Sequence, residues 1–137
     1  MNLVQLLLGS ARRLGDQPAL AIGEQVVGSY RELADRATRL AAAMLSRFDL
    51  KPGDRVALAM KNCPEYWETL FACWHAGLTA VPMNAKLHPK EFEYILGHSG
   101  ARICFVTPDL EPSFSYFKNL ISISSNEYRK LSGTAQD

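Results

Sequence analysis

Cysteine and histidine are scarce in this sequence, and no cluster of metal-ligating residues is visible. The three cysteines, Cys63, Cys73 and Cys104, are an odd number without Cys-x-x-Cys spacing, which argues against both a disulfide framework and a zinc site. Because reduced thiols are typical of the cytosol, we expect a cytoplasmic protein without a bound metal.

Blocks of like charge and long apolar runs are also missing. The chain of 137 residues has 15 basic and 14 acidic residues and a formal net charge of +1, so its charge does not favour nucleic acid or an anionic membrane as a partner. No apolar run reaches the roughly 18 residues that a membrane-spanning helix needs. The N-terminal MNLVQLLLG has neither a positive start nor a small-residue cleavage pattern, so no signal peptide is predicted.

Sequence motifs for catalysis and for phosphate binding are absent. There is no Ser/His/Asp or Cys/His set at motif spacing, no GxGxxG and no GxxxxGK[ST]. Ser132–Thr134 reads SGT, like the start of a phosphate-binding loop, but the residues that follow supply neither a second glycine nor a lysine. The motifs therefore assign no catalytic residue and no metal-binding residue.

Alternating strand and helix patterns are the clearest positive feature. Three short apolar runs alternate with two helix-length segments, in the order Val56–Met60, Pro64–Gly77, Leu78–Met83, His88–Gly100 and Ala101–Thr107. This order is typical of a parallel sheet wound with helices, whose strands are apolar throughout because both faces are buried. We predict one α/β domain over residues 1–137, with three layers, a mostly parallel sheet and helices on both faces.

Further elements are predicted before and after this core. They are a helix over Leu3–Leu14, a β-hairpin of Pro18–Gly23 and Gln25–Tyr30, a strand over Leu120–Ser124 and a short helix over Asn126–Leu131. Between the hairpin and the core, Ser29 and Glu32 have the spacing of a capping box, which predicts the start of a long amphipathic helix.

Most charged side chains are interpreted as structural or solvated. The arginine row on the long helix is interpreted as a solvated face, because acidic residues are interleaved with it; its members are Arg31, Arg36, Arg39 and Arg47. Glu65 and Glu68 are interpreted as acids placed favourably near the start of a helix rather than as general acids.

The histidines are likewise given structural roles. His75 belongs to a helix that is apolar nearly all round, so we expect a buried helix and a core histidine bonded to backbone. His88 is predicted to cap the next helix, and His98 to lie in its last turn, where a cation is favourable.

The segment Met83–His88 is the best candidate for a ligand contact. It follows a predicted parallel strand, and ligands of open α/β sheets gather at the carboxyl ends of the strands. Lys86 lies there, close to the start of a helix, where an anionic ligand would be favoured. From its position alone, a plain connecting loop remains the favoured interpretation.

The stretches Ser29–Leu45 and Leu50–Val106 resemble the adenylate-forming enzymes, the family of acyl-CoA synthetases, luciferases and peptide-synthetase adenylation domains. Gly53–Val56 (GDRV) resembles the entry to a core strand of that family, and Trp74–Asn84 (WHAGLTAVPMN) resembles its second core motif. At Leu78, Thr79 and Asn84, the motif resembles that of the acyl- or aryl-CoA ligase branch of the family. The resemblance covers nearly all of residues 1–107.

This resemblance implies an activity and a set of ligands for the larger enzyme. Such ligases join a carboxylate to ATP with Mg²⁺ to give an acyl-adenylate, and then pass the acyl group to CoA. The family's phosphate loop and catalytic lysine have no match in this sequence, so the resemblance implies an N-terminal fragment that is not catalytic alone. By resemblance, Lys86 is expected to contact a phosphate of CoA's nucleotide. Asn84 is interpreted as structural, capping the strand-to-helix turn. The acid substrate is not identified.

Two other interpretations stay open. The chain could be a non-catalytic α/β module that binds a nucleotide or a partner protein through the aromatic segment Tyr66–Trp74. Separately, a sheet that lacks its remaining strands exposes an edge, and exposed edges favour pairing between chains. We therefore expect the fragment to form a homo-oligomer.

Overall fold

The computed structural model describes residues 18–22 and 25–133, which form strands, helices and one 3₁₀ helix. The elements are β1 (Pro18–Ile22), β2 (Gln25–Ser29), α1 (Tyr30–Arg47), β3 (Arg55–Ala59), α2 (Pro64–His75), β4 (Thr79–Met83), α3 (Pro89–Ser99), β5 (Ile103–Val106), a 3₁₀ helix (Pro108–Phe114), β6 (Leu120–Ser122) and α4 (Asn126–Ser132). The helix predicted over Leu3–Leu14 lies outside the described residues.

The predicted hairpin and the long helix that follows it are both confirmed. β1 and β2 pair antiparallel, with Ile22 opposite Gln25. The capping box starts α1, since the Ser29 hydroxyl accepts from the Glu32 amide and the Glu32 carboxylate accepts from the Ser29 amide, each at 3.2 Å.

The predicted parallel sheet is confirmed, with its strands in the order β4-β3-β5-β6. β3 is central and pairs in parallel with both neighbours, placing Ala57 beside Val81 of β4 and beside Cys104 of β5. β6 adds a further parallel strand next to β5. The carboxyl ends of the strands therefore lie along one edge of the sheet.

Helices cover both faces of this sheet, as predicted. Because successive strand residues point to opposite faces, Leu58 and Phe105 belong to a core shared with α1, α2 and α4. Cys104 and Val106 belong to the opposite core, which α3 and the 3₁₀ helix complete with Phe92 and other apolar residues. The layers are thus helix, sheet and helix.

The segment after β5 departs from the sequence prediction. The 3₁₀ helix was not predicted; Pro108 begins it and a second proline lies inside it. β6 ends at Ser122 rather than at Ser124, because the Ser125 hydroxyl donates to the Ser122 carbonyl at 2.6 Å and caps α4 by accepting from the Tyr128 amide. No helix in the described ranges is long and apolar enough to cross a bilayer.

Candidate ligand groove at the carboxyl ends of the strands

A groove of about 590 Å³ opens where β3 and β4 end and α2 begins. This size is within the range of small-molecule sites. Its lining is mostly apolar and includes two lysines and two asparagines: Met60, Lys61, Asn62, Tyr66, Trp67, Pro82, Met83, Asn84, Ala85 and Lys86. The structure thus places Lys86, predicted from its position after a strand, in the wall of a groove at the expected edge of the sheet.

Asn84 shapes the turn that carries Lys86. The Asn84 side-chain oxygen accepts from the Lys86 amide at 2.9 Å, and its carbonyl accepts from the Leu87 amide at 3.1 Å. This turn ends β4 and connects it to His88. The ring of His88 caps α3 by accepting a hydrogen bond from the Lys90 amide. The predicted capping roles of Asn84 and His88 agree with this geometry.

The two lysines of the groove differ in their electrostatic surroundings. The Lys61 ammonium is 3.0 Å from the Asp109 carboxylate, and the hydrogen bond from Lys61 is the main reason that the pKa of Asp109 is lowered. Lys86 is exposed, and within residues 29–133 no carboxylate forms an ion pair with it. Its charge is therefore available to an anion.

Trp67 contributes an aromatic surface that the sequence did not predict to be accessible. It is 42% exposed although α2 was expected to be buried nearly all round, and Tyr66 meets its ring edge-to-face at 5.6 Å. His75 is also exposed rather than a core histidine. Trp67 and His75 are exposed for the same reason, because the sheet and α1 cover only part of the circumference of α2. The apolar composition of a helix does not show which part is covered.

A second correction concerns Arg36, which was interpreted as part of a solvated face, and its partner Glu68, which was interpreted only as an acid near the start of a helix. Glu68 is 4% exposed, and it forms an ion pair with the Arg36 guanidinium and accepts from the Tyr128 hydroxyl at 3.2 Å. Burial raises the pKa of Glu68, while the charge of Arg36 opposes the rise. Arg36 thus belongs to a buried polar cluster of α1, α2 and α4 and not to a solvated face, whereas Arg39 pairs with Asp35 at the surface as expected.

The thiols and acids of the described residues do not form a catalytic or metal-binding set. Burial raises the pKa of Cys73 and of Cys104 to about 12 and that of Cys63 to about 11, so the nucleophilic thiolate is disfavoured at neutral pH. Across residues 18–22 and 25–133, no three His, Cys, Asp or Glu side chains come together as a metal site. The groove can therefore bind a ligand by its shape, by apolar contact and by positive charge.

Comparison with known proteins identifies relatives that are much longer than this chain. The family model described as AMP-binding enzyme matches residues 8–134. A long-chain-fatty-acid–CoA ligase of Salmonella typhimurium is 41% identical over 101 residues, which cover 73% of this chain and 18% of that protein. A feruloyl-CoA synthase of an Amycolatopsis species is 43% identical over 81 residues, covering 59% of this chain and 16% of that protein.

Solved structures share the fold over nearly the whole chain. A benzoate CoA ligase from Burkholderia xenovorans superposes with a TM-score of 0.86 at 24% identity, covering 98% of this chain and 29% of that chain. A Mycobacterium tuberculosis fatty acyl CoA synthetase gives a TM-score of 0.85 at 23% identity, with coverages of 98% and 28%. These shares agree with the predicted N-terminal fragment. The chain belongs to the AMP-binding enzyme family, in its acyl-CoA synthetase branch.

Proposed function

We propose that the chain is the N-terminal part of an ATP-dependent acid–CoA ligase, which converts a carboxylate and ATP to an acyl-adenylate and then to an acyl-CoA. The observation that carries this proposal is the groove at the carboxyl ends of β3 and β4, found in a chain that is 41% identical to a CoA ligase over 101 residues. The groove has the position that ligand sites take in open α/β sheets.

Within that enzyme, Lys86 is proposed to bind a phosphate of CoA. The support is its exposed ammonium, which no carboxylate in residues 29–133 neutralises, and its place in the wall of the groove. A lysine acts on a phosphate as a point charge, so the contact fixes one end of a long, flexible substrate without demanding a particular geometry. The predicted ligand contact therefore remains a binding residue and not a catalytic one.

The residues present do not fit the Mg²⁺ and triphosphate part of the reaction. The described ranges contain no cluster of three metal-ligating side chains, and the printed sequence has no glycine-rich loop ending in a lysine. The proposed contribution of this chain is to build one wall of the substrate site.

The chain alone is expected to show no turnover. When it is incubated with ATP, Mg²⁺, CoA and a panel of fatty and aryl acids, pyrophosphate release should equal that of a blank. The phosphate loop and catalytic lysine that would stabilise the charge on the α-phosphate and on the leaving pyrophosphate have no match in the sequence. The Salmonella typhimurium long-chain-fatty-acid–CoA ligase, assayed in the same mixture, is the positive control. Steady release of pyrophosphate by the purified chain would show that it is a complete enzyme of a different design.

The exposed edge of the sheet is proposed to pair with a second copy of the chain. Among the described residues, β4 is the terminal strand of the sheet, and Thr79 on it is exposed. Pro82 removes one backbone donor, which is typical of an edge strand, so pairing would use the part of β4 before it. Light scattering is expected to give a dimer mass or larger at high concentration. A monomer mass throughout the concentration series would refute the pairing.

The three free thiols support a cytoplasmic location, which we also propose. Two of them, Cys73 and Cys104, are fully buried core residues with no disulfide partner. A reducing compartment keeps such thiols in the state that the fold requires.

A further inference from the structure

A second cavity, of about 510 Å³, opens beside the buried polar cluster of Arg36, Glu68 and Tyr128. Its wall is formed by α1, the start of α2, the turn after β6 and α4. It shares no lining residue with the groove that contains Lys86. This cavity is therefore a separate candidate site, and it does not depend on the proposed CoA contact.

Arg36 is the side chain of this cavity that has hydrogen-bonding capacity to spare. A guanidinium carries five N–H donors in a planar fork, and the Arg36 Nε is directed at the Glu68 carboxylate. Apart from Glu68, no residue in the described ranges forms an ion pair with Arg36. Nε is shielded from solvent, but the side chain is 22% exposed and lines the cavity. The remaining donors of the fork are therefore open to a second acceptor.

The charges around the cavity determine what kind of acceptor fits. A guanidinium pairs most strongly with an oxyanion, which can accept two parallel N–H bonds. Arg129 adds a second positive charge to the lining, and Glu65 and Glu68 add two negative charges. Because Glu68 lies against Arg36 itself, its carboxylate repels an anion bound to the other edge of the guanidinium, whereas a protonated Glu68 does not.

Glu68 is also the acid of the cavity that takes up a proton at unusually high pH. Burial raises the pKa of Glu68, and the charge of Arg36 opposes the rise. Burial also raises the pKa of Tyr128, and it raises that of Cys63 to about 11, so the phenol and the thiol are uncharged between about pH 5 and pH 8. Glu65 is the other acid of the lining, and substitution of Glu68 separates the effects of the two acids.

We propose that this cavity binds a small oxyanion, a carboxylate or a phosphate, on the free edge of the Arg36 guanidinium, and that the ionised Glu68 opposes this binding. The inference goes beyond the proposed function, since it involves neither CoA nor Lys86. An anion bound here would contact the point where α1, α2 and α4 meet. It would therefore stabilise the folded chain, because the unfolded chain has no such site.

Urea unfolding of the full chain in sulfate tests the proposal, because sulfate keeps the same charge between about pH 5 and pH 8. Sodium chloride at equal ionic strength is the reference for general salt effects. With a Kd of about 3 mM near pH 5, sulfate at about 30 mM should lower the unfolding equilibrium constant about tenfold. Near pH 8, where Glu68 is more ionised, the decrease should be less than about threefold.

Glu68→Gln is the most informative variant, because it is expected to gain affinity. Glutamine keeps a hydrogen-bond acceptor for Arg36 and Tyr128 but removes the charge, so sulfate should stabilise this variant near pH 8 about tenfold. Glu93→Gln is the matched control, because Glu93 is an exposed acid on α3 that does not line the cavity; its response to sulfate should equal that of the original chain. In Glu68→Gln near pH 8, acetate and phosphate then distinguish a carboxylate ligand from a phosphate ligand.

Nuclear magnetic resonance provides a test that needs no substitution of Arg36. During titration of the original chain with sulfate near pH 5, the amide signals of Ser124 and Tyr128, which line the cavity, should shift and saturate. The amide signal of Tyr94 on α3 should not shift. Arg36→Met, where it folds, should lose the sulfate effect at both pH values.

Two results would overturn the proposal. One is the absence of saturable shifts at Ser124 and Tyr128 together with no gain in Glu68→Gln. The other is equal stabilisation by sulfate in Glu68→Gln, Arg36→Met and the original chain at each pH, which would be a general salt effect. Neither result bears on the assignment as part of a ligase, because the groove and Lys86 lie outside this cavity.

Discussion

Replacing Arg36 by methionine is expected to lower the free energy of unfolding by about 3 kcal/mol near pH 8 and by only about 1 kcal/mol near pH 4.5. Near pH 8 the variant leaves the Glu68 carboxylate, 4% exposed, without its cation. Removing one partner of a buried ion pair lowers the free energy of unfolding by more than the intact pair contributes to it, because an uncompensated charge remains buried. Methionine keeps most of the length of the arginine stem, so the packing loss is small.

The pH dependence follows from the direction of the Glu68 pKa. Burial raises the pKa of Glu68 above 4.5 in the folded chain, so in the window above 4.5 the folded state holds a proton that the unfolded state has released. Stability from this group is then fully present below the unfolded pKa and is lost as pH rises through the folded pKa. Arg36 lowers the pKa of Glu68, so in Arg36→Met the folded-state pKa of Glu68 is higher. The pH range over which stability is lost therefore extends further upward, and the free energy of unfolding lost at high pH is larger.

Urea unfolding of Arg36→Met and of the original chain at both pH values measures this difference. Arg39→Met is the matched control on the same helix, because the Arg39 guanidinium is 3.3 Å from Asp35 with both side chains more than half exposed. That surface pair is expected to contribute about 0 to 1 kcal/mol at either pH. Glu68→Gln should flatten the pH dependence. Equal losses for Arg36→Met at both pH values would show that Glu68 is not the titrating group.

Local signals account for the parts of the fold that the sequence predicted correctly. The capping residues Ser29 and His88 act within three positions of themselves, so their patterns can be read without knowing the tertiary structure. The strands of the core are apolar on both faces, and their alternation with helices limits the topology to a parallel sheet. That Lys86 lies at the carboxyl ends of the strands was predicted from that topology alone.

The buried cluster and the groove wall depend on contacts between distant parts of the chain. Tyr128 and Glu68 are 60 positions apart, and nothing local distinguishes Glu68 from an ordinary exposed acid near a helix start. That Glu68 lies in a mostly apolar helix does not identify its partner, which could not be found from spacing. The exposure of Trp67 was missed for a related reason, since hydrophobic composition does not show which side of a helix the sheet covers.

The largest expected effect is the difference between this chain alone and a chimeric ligase that contains it. The chain alone is expected to show no turnover, whereas the chimera is expected to form acyl-CoA. The 101 residues of the Salmonella typhimurium long-chain-fatty-acid–CoA ligase that match this chain would be replaced by those of this chain, which are 41% identical. If residues of this chain form a working wall of the substrate site, the chimera should retain acyl-CoA formation with kcat/KM within about a hundredfold of the parent, a loss of up to about 2.7 kcal/mol.

Within the chimera, Lys86→Met separates a binding role from a structural one. Loss of a charged hydrogen bond is expected to raise the KM for CoA about tenfold and to leave the KM for ATP unchanged. Lys51→Met, an exposed lysine that does not line the groove, is the control and should change neither value. Equal increases in both KM values would point to a disturbed fold rather than to a lost phosphate contact.

The rate of acyl-CoA formation by this chimera tests most directly whether the chain is part of an acid–CoA ligase. We predict turnover above the blank, with CoA consumed and pyrophosphate released in equal amounts. A chimera that unfolds as cooperatively as the parent ligase and yet forms neither acyl-adenylate nor acyl-CoA would contradict the assignment.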